Sequence, residues 1–193
     1  DVETAWSAAG PIPGDPDWAG GKVYVDRRTI DIAAPAPAVY HAVCRLGGGQ
    51  GYYAADWLWR LRGWMDRMVG GPGLRRGRRD PENVAFGEAL DFWRVTGVEA
   101  NRLLELRAEM KLPGVATLTF HIEPGANGAG SRLIQTARFK PKGLFGLAYW
   151  YAVVPLHGIV FTGMLRGVKR SAESLAGESA GDDVANPPVR EVK

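Results

Sequence analysis

The spacing of apolar residues changes along the chain, and each change predicts a different structural element. The stretch KVYVDRRTIDI, residues 22–32, predicts a first strand. APAPAVYHAVCRLGGG follows it, with prolines at the entry and glycines at the exit, which predicts a short helix. A second helix is predicted over Ala54–Val69, because an apolar stripe recurs there at helical spacing. The stripe consists of Trp57, Leu61, Trp64, Met65 and Met68.

From Ala89 to Pro141 the apolar period becomes two. Four strands are predicted there, in ALDFWRVTGVE, RLLELRAEMKL, VATLTFHIE and SRLIQTARFKP. In the second of them, Leu104 and Leu106 alternate with Glu105 and Arg107. Such alternation is typical of an antiparallel sheet with one buried and one solvated face.

The last predicted element runs from Gly143 to about Leu175. Residues 143–165 contain no Asp, Glu, Lys or Arg, which leaves three interpretations: a membrane span, a peripheral membrane contact or a buried core helix. Pro155, His157 and four glycines in this stretch favour the core helix.

Together these elements predict an α+β fold: a curved antiparallel sheet wrapped around a long C-terminal helix, with two short helices after the first strand. Residues 22–176 are expected to form this single domain. Residues 1–21, rich in Pro and Gly, are expected to form an extended arm or linker, and residues 177–193 a disordered polar tail. This packing leaves room for a cavity between sheet and helix.

The composition narrows the class of function. Apolar residues make up 46% of the chain and charged residues 23%, and the net charge is only +3, as in ordinary globular proteins. The single Cys44 excludes intrachain disulfides and fits a reducing, cytoplasmic location. The three histidines show no metal-ligand spacing, so neither a metal nor another cofactor is predicted.

The segment from 54 to 81 combines three tryptophans with seven arginines, a mixture that can bind nucleic acid. Because Trp57 and Trp64 share the apolar stripe, we interpret them as pocket wall and predict no nucleic-acid binding. The arginines at the end of the segment have two interpretations: a solvated basic turn, or a surface for an anionic group or partner domain. They are Arg75, Arg76, Arg78 and Arg79.

Several side chains are predicted to face the cavity and to contact a ligand. They are Trp57, Leu61, Trp64, Met68, Trp93, Gln135, Phe139, Tyr151 and His157. Gln135 would be a polar group in an apolar wall, either orienting a ligand or bonded to neighbouring backbone. The candidates for acid/base catalysis are His157, Asp91 and Glu109, and the two carboxylates are expected on the wet face of the sheet.

Five stretches carry a resemblance to a known family: DPDWAGGKVYVDRR, ADWLWRLRGWMDRMVGGPGLRRGRRDP, LDFWRV, LRAEMKLPG and QTARFKPKGLFGLAYWY. They resemble an uncharacterised family of the START/polyketide-cyclase-like (SRPBCC) helix-grip superfamily, over about residues 15–175 and most specifically over Asp56–Pro81. The resemblance implies a cavity for lipids, polyketides, quinones or similar small molecules.

It also implies a partner, since members often follow an atypical short-chain-dehydrogenase-like NAD(P)-binding domain. This chain has no GxGxxG fingerprint of its own. Three functions are therefore compatible with the sequence: a binder of a hydrophobic or amphipathic molecule, a cyclase, dehydratase or hydrolase acting on such a molecule, or an accessory domain of an NAD(P)-dependent oxidoreductase.

Overall fold

A computed structural model of the chain describes residues 23–47, 51–53, 57, 63–64, 67–68, 70, 84–125 and 130–185, with side chains described as far as residue 178. The elements, in chain order, are β1 (Tyr24–Ile32), α1 (Ala36–Cys44), β2 (Ala89–Leu90), β3 (Trp93–Glu99), β4 (Leu103–Ala108), β5 (Gly114–Pro124), β6 (Ser131–Pro141) and α2 (Gly143–Ala185).

The six strands form one antiparallel sheet in the order β1-β6-β5-β4-β3-β2. The first strand therefore lies at an edge, beside the last one, while β3 to β6 form a meander joined by short turns. Together with α2 packed across the sheet, this is the helix-grip arrangement that the sequence predicts. The predicted fold class is confirmed.

The alternating pattern of β1 and β4 places Ile30, Ile32, Leu104 and Leu106 on the inner face of the sheet. Leu104 and Leu106 are buried, as the sequence predicts, and they face a core that includes Leu118, Phe120 and Leu133. The core is closed by α1, which packs mainly against α2.

The long helix α2 has two halves with different environments. Its C-terminal half carries a buried stripe at helical spacing, formed by Val160, Phe161, Met164, Leu165, Val168 and Ala172. Its N-terminal half exposes large apolar side chains at Leu144, Phe145 and Ile159. By length and composition the helix could cross a membrane, but the buried stripe makes it the core helix of this fold.

The start of α2 is held tightly against the loop that precedes β5. Gly146 lies so close to the Pro113 carbonyl oxygen that a Cβ atom there would overlap it. The Lys142 amide also donates a hydrogen bond of 2.8 Å to the same carbonyl group. These contacts fix the first turn of the helix over one end of the sheet.

Two parts of the predicted element pattern differ in the structure. The strand predicted from Ala89 is interrupted at Asp91, whose φ of 54° belongs to a turn, so that β2 and β3 are separate. The last helix continues to Ala185, beyond its predicted end near Leu175. Of the second predicted helix the structure describes only Trp57, Gly63, Trp64, Arg67 and Met68, which are all helical. The predicted N-terminal arm, residues 1–21, lies outside the described residues.

A candidate ligand cavity between the sheet and the C-terminal helix

A cavity of about 440 Å³ lies between the inner face of the sheet and the N-terminal half of α2. Its lining is mostly apolar and rich in aromatic side chains. The lining residues are Phe92, Trp93, Ala108, Met110, Leu112, Ala116, Thr117, Ala137, Arg138, Phe139, Tyr149, Trp150, Ala152, Val153, Leu156, His157, Val160 and Phe161.

One wall of the cavity is a group of rings that bridges β6 and α2. The rings of Phe139 and Trp150 stack with centroids 5.8 Å apart and an interplanar angle of 8°. The Trp150 ring in turn meets His157 edge to face at 5.3 Å, and His157 lies 4.6 Å from Phe161. Offset and edge-to-face ring pairs of this kind add about 0.5–1.5 kcal/mol beyond their buried area. The rings therefore hold His157 in one orientation.

His157 belongs to a cluster of polar side chains from the edge strand β1 and from α2, which we call the polar corner: Asp26, Arg28, His157 and Thr162. His157 Nδ1 lies 3.7 Å from Asp26 Oδ2. The Arg28 guanidinium donates two hydrogen bonds to the Asp26 carboxylate, at 3.0 and 2.9 Å, and one of 2.8 Å to Thr162 Oγ1. The corner thus joins β1 to α2 at the side of the cavity.

The charge state of His157 follows from this environment. Burial lowers the pKa of His157 below its usual value, while the Asp26 carboxylate opposes this change and the Arg28 guanidinium adds to it. Burial is the largest of the three effects. The imidazole is therefore neutral at neutral pH, the state in which it can accept a proton.

A second polar group of the cavity lining is the indole of Trp93. Its Nε1–H is covered by protein and has no hydrogen-bond partner among the residues that the structure describes. A buried donor without an acceptor costs about 1–3 kcal/mol.

Some of the predicted ligand-binding residues line the cavity in the structure and others do not. Trp93, Phe139 and His157 line the cavity, and their contact with a ligand stays a prediction. Tyr151 does not line it, contrary to our expectation, and its side chain is 65% exposed. Successive helical residues point about 100° apart, so the turn that directs Trp150 inward directs Tyr151 outward.

The prediction that Trp57, Trp64 and Met68 form a buried pocket wall is wrong for this structure, in which they are 65%, 58% and 70% exposed. Periodicity indicates which side chains share a face of a helix but not what covers that face. The helical wall of the cavity is supplied by α2 instead. Leu61 lies outside the described residues.

The two candidate carboxylates do not line the cavity either. Asp91 was expected on the wet face but is buried at the turn between β2 and β3, because its positive φ breaks the alternation on which that expectation rested. Glu109 is partly exposed, as expected, and accepts a 2.8 Å hydrogen bond from Arg94 Nε.

Gln135 is buried as predicted, with 1% of its surface exposed, but it lies deeper than the cavity wall. Neither its amide oxygen nor its amide nitrogen has a hydrogen-bond partner within the described part of the chain. An apolar side chain of similar shape avoids the cost of desolvating both atoms.

We therefore expect Gln135→Met to raise the free energy of unfolding by about 1–3 kcal/mol, measured by urea denaturation. A loss of stability of that size in Gln135→Met would contradict this prediction, because it would mean that the amide is satisfied in solution. Binding of the fluorescent probe anilinonaphthalene sulfonate serves as the control, and we expect its affinity to be unchanged.

The predicted arginine cluster and the expected absence of a metal site are the last two sequence predictions. Arg75, Arg76, Arg78 and Arg79 lie outside the described residues. Over the described ranges, no group of three or more His, Cys, Asp or Glu side chains could hold a metal ion.

Sequence reasoning missed the partners of His157. Asp26 and Arg28 have the same parity as Ile30 and Ile32, and the strand pattern places all four on the inner face. Two charged residues at inward positions of an edge strand were the available signal.

The model of a family described as "Protein of unknown function (DUF2867)" matches residues 18–164. No curated protein matches the chain.

Among solved structures, the di-domain ARO/CYC StfQ from the steffimycin biosynthetic pathway is 16% identical, with a TM-score of 0.47 over 80% of this chain and 52% of that one. The chain thus spans about half the length of StfQ. Norcoclaurine synthase from Thalictrum flavum is 15% identical, with a TM-score of 0.47 over 81% of this chain and 87% of that one. Ara h 8.0201 is 10% identical, with a TM-score of 0.45 over 79% and 99%.

Proposed function

Because the chain belongs to DUF2867, a family described as having unknown function, we propose its function from the cavity: the protein binds a hydrophobic or amphipathic small molecule between the sheet and α2. The observation that carries this proposal is the 440 Å³ cavity itself. The cavity is partly open to solvent, so a small molecule could enter it, and its lining is almost entirely apolar, as in most small-molecule sites.

The size and lining of the cavity indicate the kind of occupant. Pockets of roughly 300–1,000 Å³ bury most of the surface of a small organic molecule. The aromatic wall formed by Phe139, Tyr149 and Trp150 favours a molecule with flat, apolar parts. Polyketide-like and quinone-like molecules have flat, apolar rings, and lipid-like molecules share only the apolar character.

The polar groups of the lining support an amphipathic ligand over a pure hydrocarbon. Besides its apolar residues, the lining contains Thr117 and His157, whose imidazole is neutral at neutral pH. A carbonyl or hydroxyl group on the ligand complements side chains of this kind. A few such polar groups in an apolar pocket are what fixes a ligand's orientation.

The proposal is tested by native mass spectrometry of the purified protein, followed by organic extraction and identification of what is released. We expect an added mass of a few hundred daltons, or, for protein stripped of ligand, saturable fluorescence of anilinonaphthalene sulfonate, which serves as the cavity probe. A protein that carries no added mass and also fails to bind this probe would overturn the proposal.

The exposed apolar side chains Leu144, Phe145 and Ile159 suggest peripheral membrane contact as a route by which such a ligand enters. Co-sedimentation with phosphatidylcholine vesicles, with and without phosphatidylglycerol, tests this part separately. Association with an NAD(P)-binding domain stays a prediction of the sequence resemblance.

A further inference from the structure

The polar corner lies at the side of the cavity, and through His157 it can supply chemistry as well as binding. We propose that His157 is a general base towards a ligand held in the cavity, with Asp26 as the positioning residue behind it. The proposal deepens the ligand-binding function above and rests on it. The two are separated by the experiments below.

The imidazole ring of His157 is held in one orientation by its neighbours. Nδ1 is buried and faces Asp26 Oδ2 at 3.7 Å, and the ring is held between Trp150 and Phe161. A carboxylate opposite Nδ1 favours the tautomer in which Nδ1 carries the proton. Nε2 then keeps its lone pair, and His157 lies in the cavity lining. A distance of 3.7 Å is longer than a hydrogen bond, as is common for catalytic pairs before a substrate is bound.

Asp26 is held in a fixed position by Arg28. Its two carboxylate oxygens accept hydrogen bonds from Arg28 Nε and Nη2, at 3.0 and 2.9 Å. Arg28 is itself anchored across to α2 by the 2.8 Å hydrogen bond to Thr162 Oγ1. Bidentate arginine–carboxylate pairs hold both groups in one geometry. The carboxylate is thus held in place beside the helix that carries His157.

The protonation state of His157 is the one that a general base needs. A general base must be unprotonated at the working pH, and burial lowers the pKa of His157 to meet that requirement. The charged groups facing the ring from β1 are Asp26 and Arg28, which act in opposite directions on this pKa. Within the described lining, the other ionisable residues are Arg138 and Tyr149.

The chemical class of substrate follows from the surroundings of the base. An apolar cavity suits a molecule whose C–H bond is acidified by an adjacent carbonyl group. Nε2 takes the proton, the C–H electron pair forms the enolate, and the negative charge moves to the carbonyl oxygen. In a substrate with a C=C bond at the β,γ position the enolate extends to a dienolate, and the imidazolium, stabilised by Asp26, returns the proton to the γ-carbon, which completes an isomerisation. No oxidant, reductant or second reactant is needed.

The tautomer and titration of His157 are measured directly by proton–nitrogen correlation NMR of the imidazole rings, because the chain has only three histidines. We expect His157 to be neutral at pH 7, protonated on Nδ1, and to titrate below the ordinary 6.5. In Asp26→Asn the carboxylate no longer raises this pKa, so the titration should move to lower pH. A His157 that is charged at pH 7, or one whose titration Asp26→Asn leaves unmoved, would overturn the proposal.

Base catalysis is measured with nitrobenzisoxazole, an apolar C–H acid, in the protein stripped of bound ligand. Proton removal from its carbon converts the C–H electron pair into the nitrile bond, breaks the N–O bond and leaves a coloured phenolate. We expect the wild-type rate to exceed that of His157→Gln by about tenfold or more, since a positioned base contributes about 10²–10⁴ in its own reaction. The wild-type rate should fall as pH drops through the pKa of His157, below 6.5, and stay level above it.

The matched control is His121→Gln, because His121 lies on β5, pairs with Glu123 at 3.3 Å and does not line the cavity. Its rate should equal that of the wild type. If wild type and His157→Gln react at equal rates while both proteins bind the cavity probe, the role of His157 as a general base is overturned. The ligand-binding function then stays intact. Failure of the wild type to bind the cavity probe, with no co-purified ligand, would overturn both.

Discussion

Replacing Ala137 by phenylalanine is expected to weaken binding of anilinonaphthalene sulfonate by about tenfold or more. Ala137 lies at the centre of the inner face of β6, opposite Asp26 on β1 and Leu118 on β5, and its side chain lines the cavity. A phenyl ring there occupies space that the bound molecule would fill. Burying apolar surface contributes roughly 25 cal/mol per Å², so losing about 60 Å² of contact costs about tenfold in affinity.

Two further variants make this prediction specific to the cavity. Val153→Phe enters the same space from α2 and should reduce affinity in the same way. Val25→Phe is the matched control, because Val25 lies on β1 but its side chain is 55% exposed and outside the lining. All three affinities are obtained from fluorescence titrations of folded protein. Unchanged affinity in both Ala137→Phe and Val153→Phe would mean that the probe binds elsewhere, and it would contradict the proposed site.

Replacing Met164 by alanine is expected to lower the free energy of unfolding by about 2–5 kcal/mol. Met164 is fully buried in the C-terminal half of α2, where this helix packs on the core. The substitution removes apolar contacts and leaves a void that close-packed neighbours fill only partly. Chemical denaturation followed by circular dichroism measures the change.

The matched control for Met164→Ala is Ile159→Ala, on the same helix but 66% exposed. Surface substitutions of this kind usually change stability by less than about 0.5 kcal/mol. Equal losses in the two variants would contradict the division of α2 into a structural C-terminal half and an exposed N-terminal half. A loss confined to Met164 would support it.

The types of the main elements could be predicted because each has its own apolar period. The alternation in β4 places Leu104 and Leu106 inside, and the structure buries both. Where a local feature breaks the period, the prediction fails with it. At Asp91 a positive φ inserts a turn, and the side chain that alternation places in solvent is buried.

The composition of the cavity was predictable only in part, for a related reason. Phe139 lies on the buried face of a regular strand, and His157 in the uncharged stretch 143–165 of the last helix, so both could be predicted to lie inside. For Trp57 and Trp64 the stripe was identified, but whether another element covers it is not encoded in its spacing. In the structure these side chains stay exposed, and the aromatic wall comes from Tyr149 and Trp150.

The amino-acid sequence by itself determined the order of the elements, the inner and outer faces of the sheet and the uncharged first part of the C-terminal helix, residues 143–165, because these depend on residues close together in the chain. Only the tertiary structure decided which faces meet. The hydrogen bond between Arg28 and Thr162 joins residues 134 positions apart, and it helps to bring Asp26 to His157. Such a meeting depends on how the whole chain packs, and local periodicity carries no information about it.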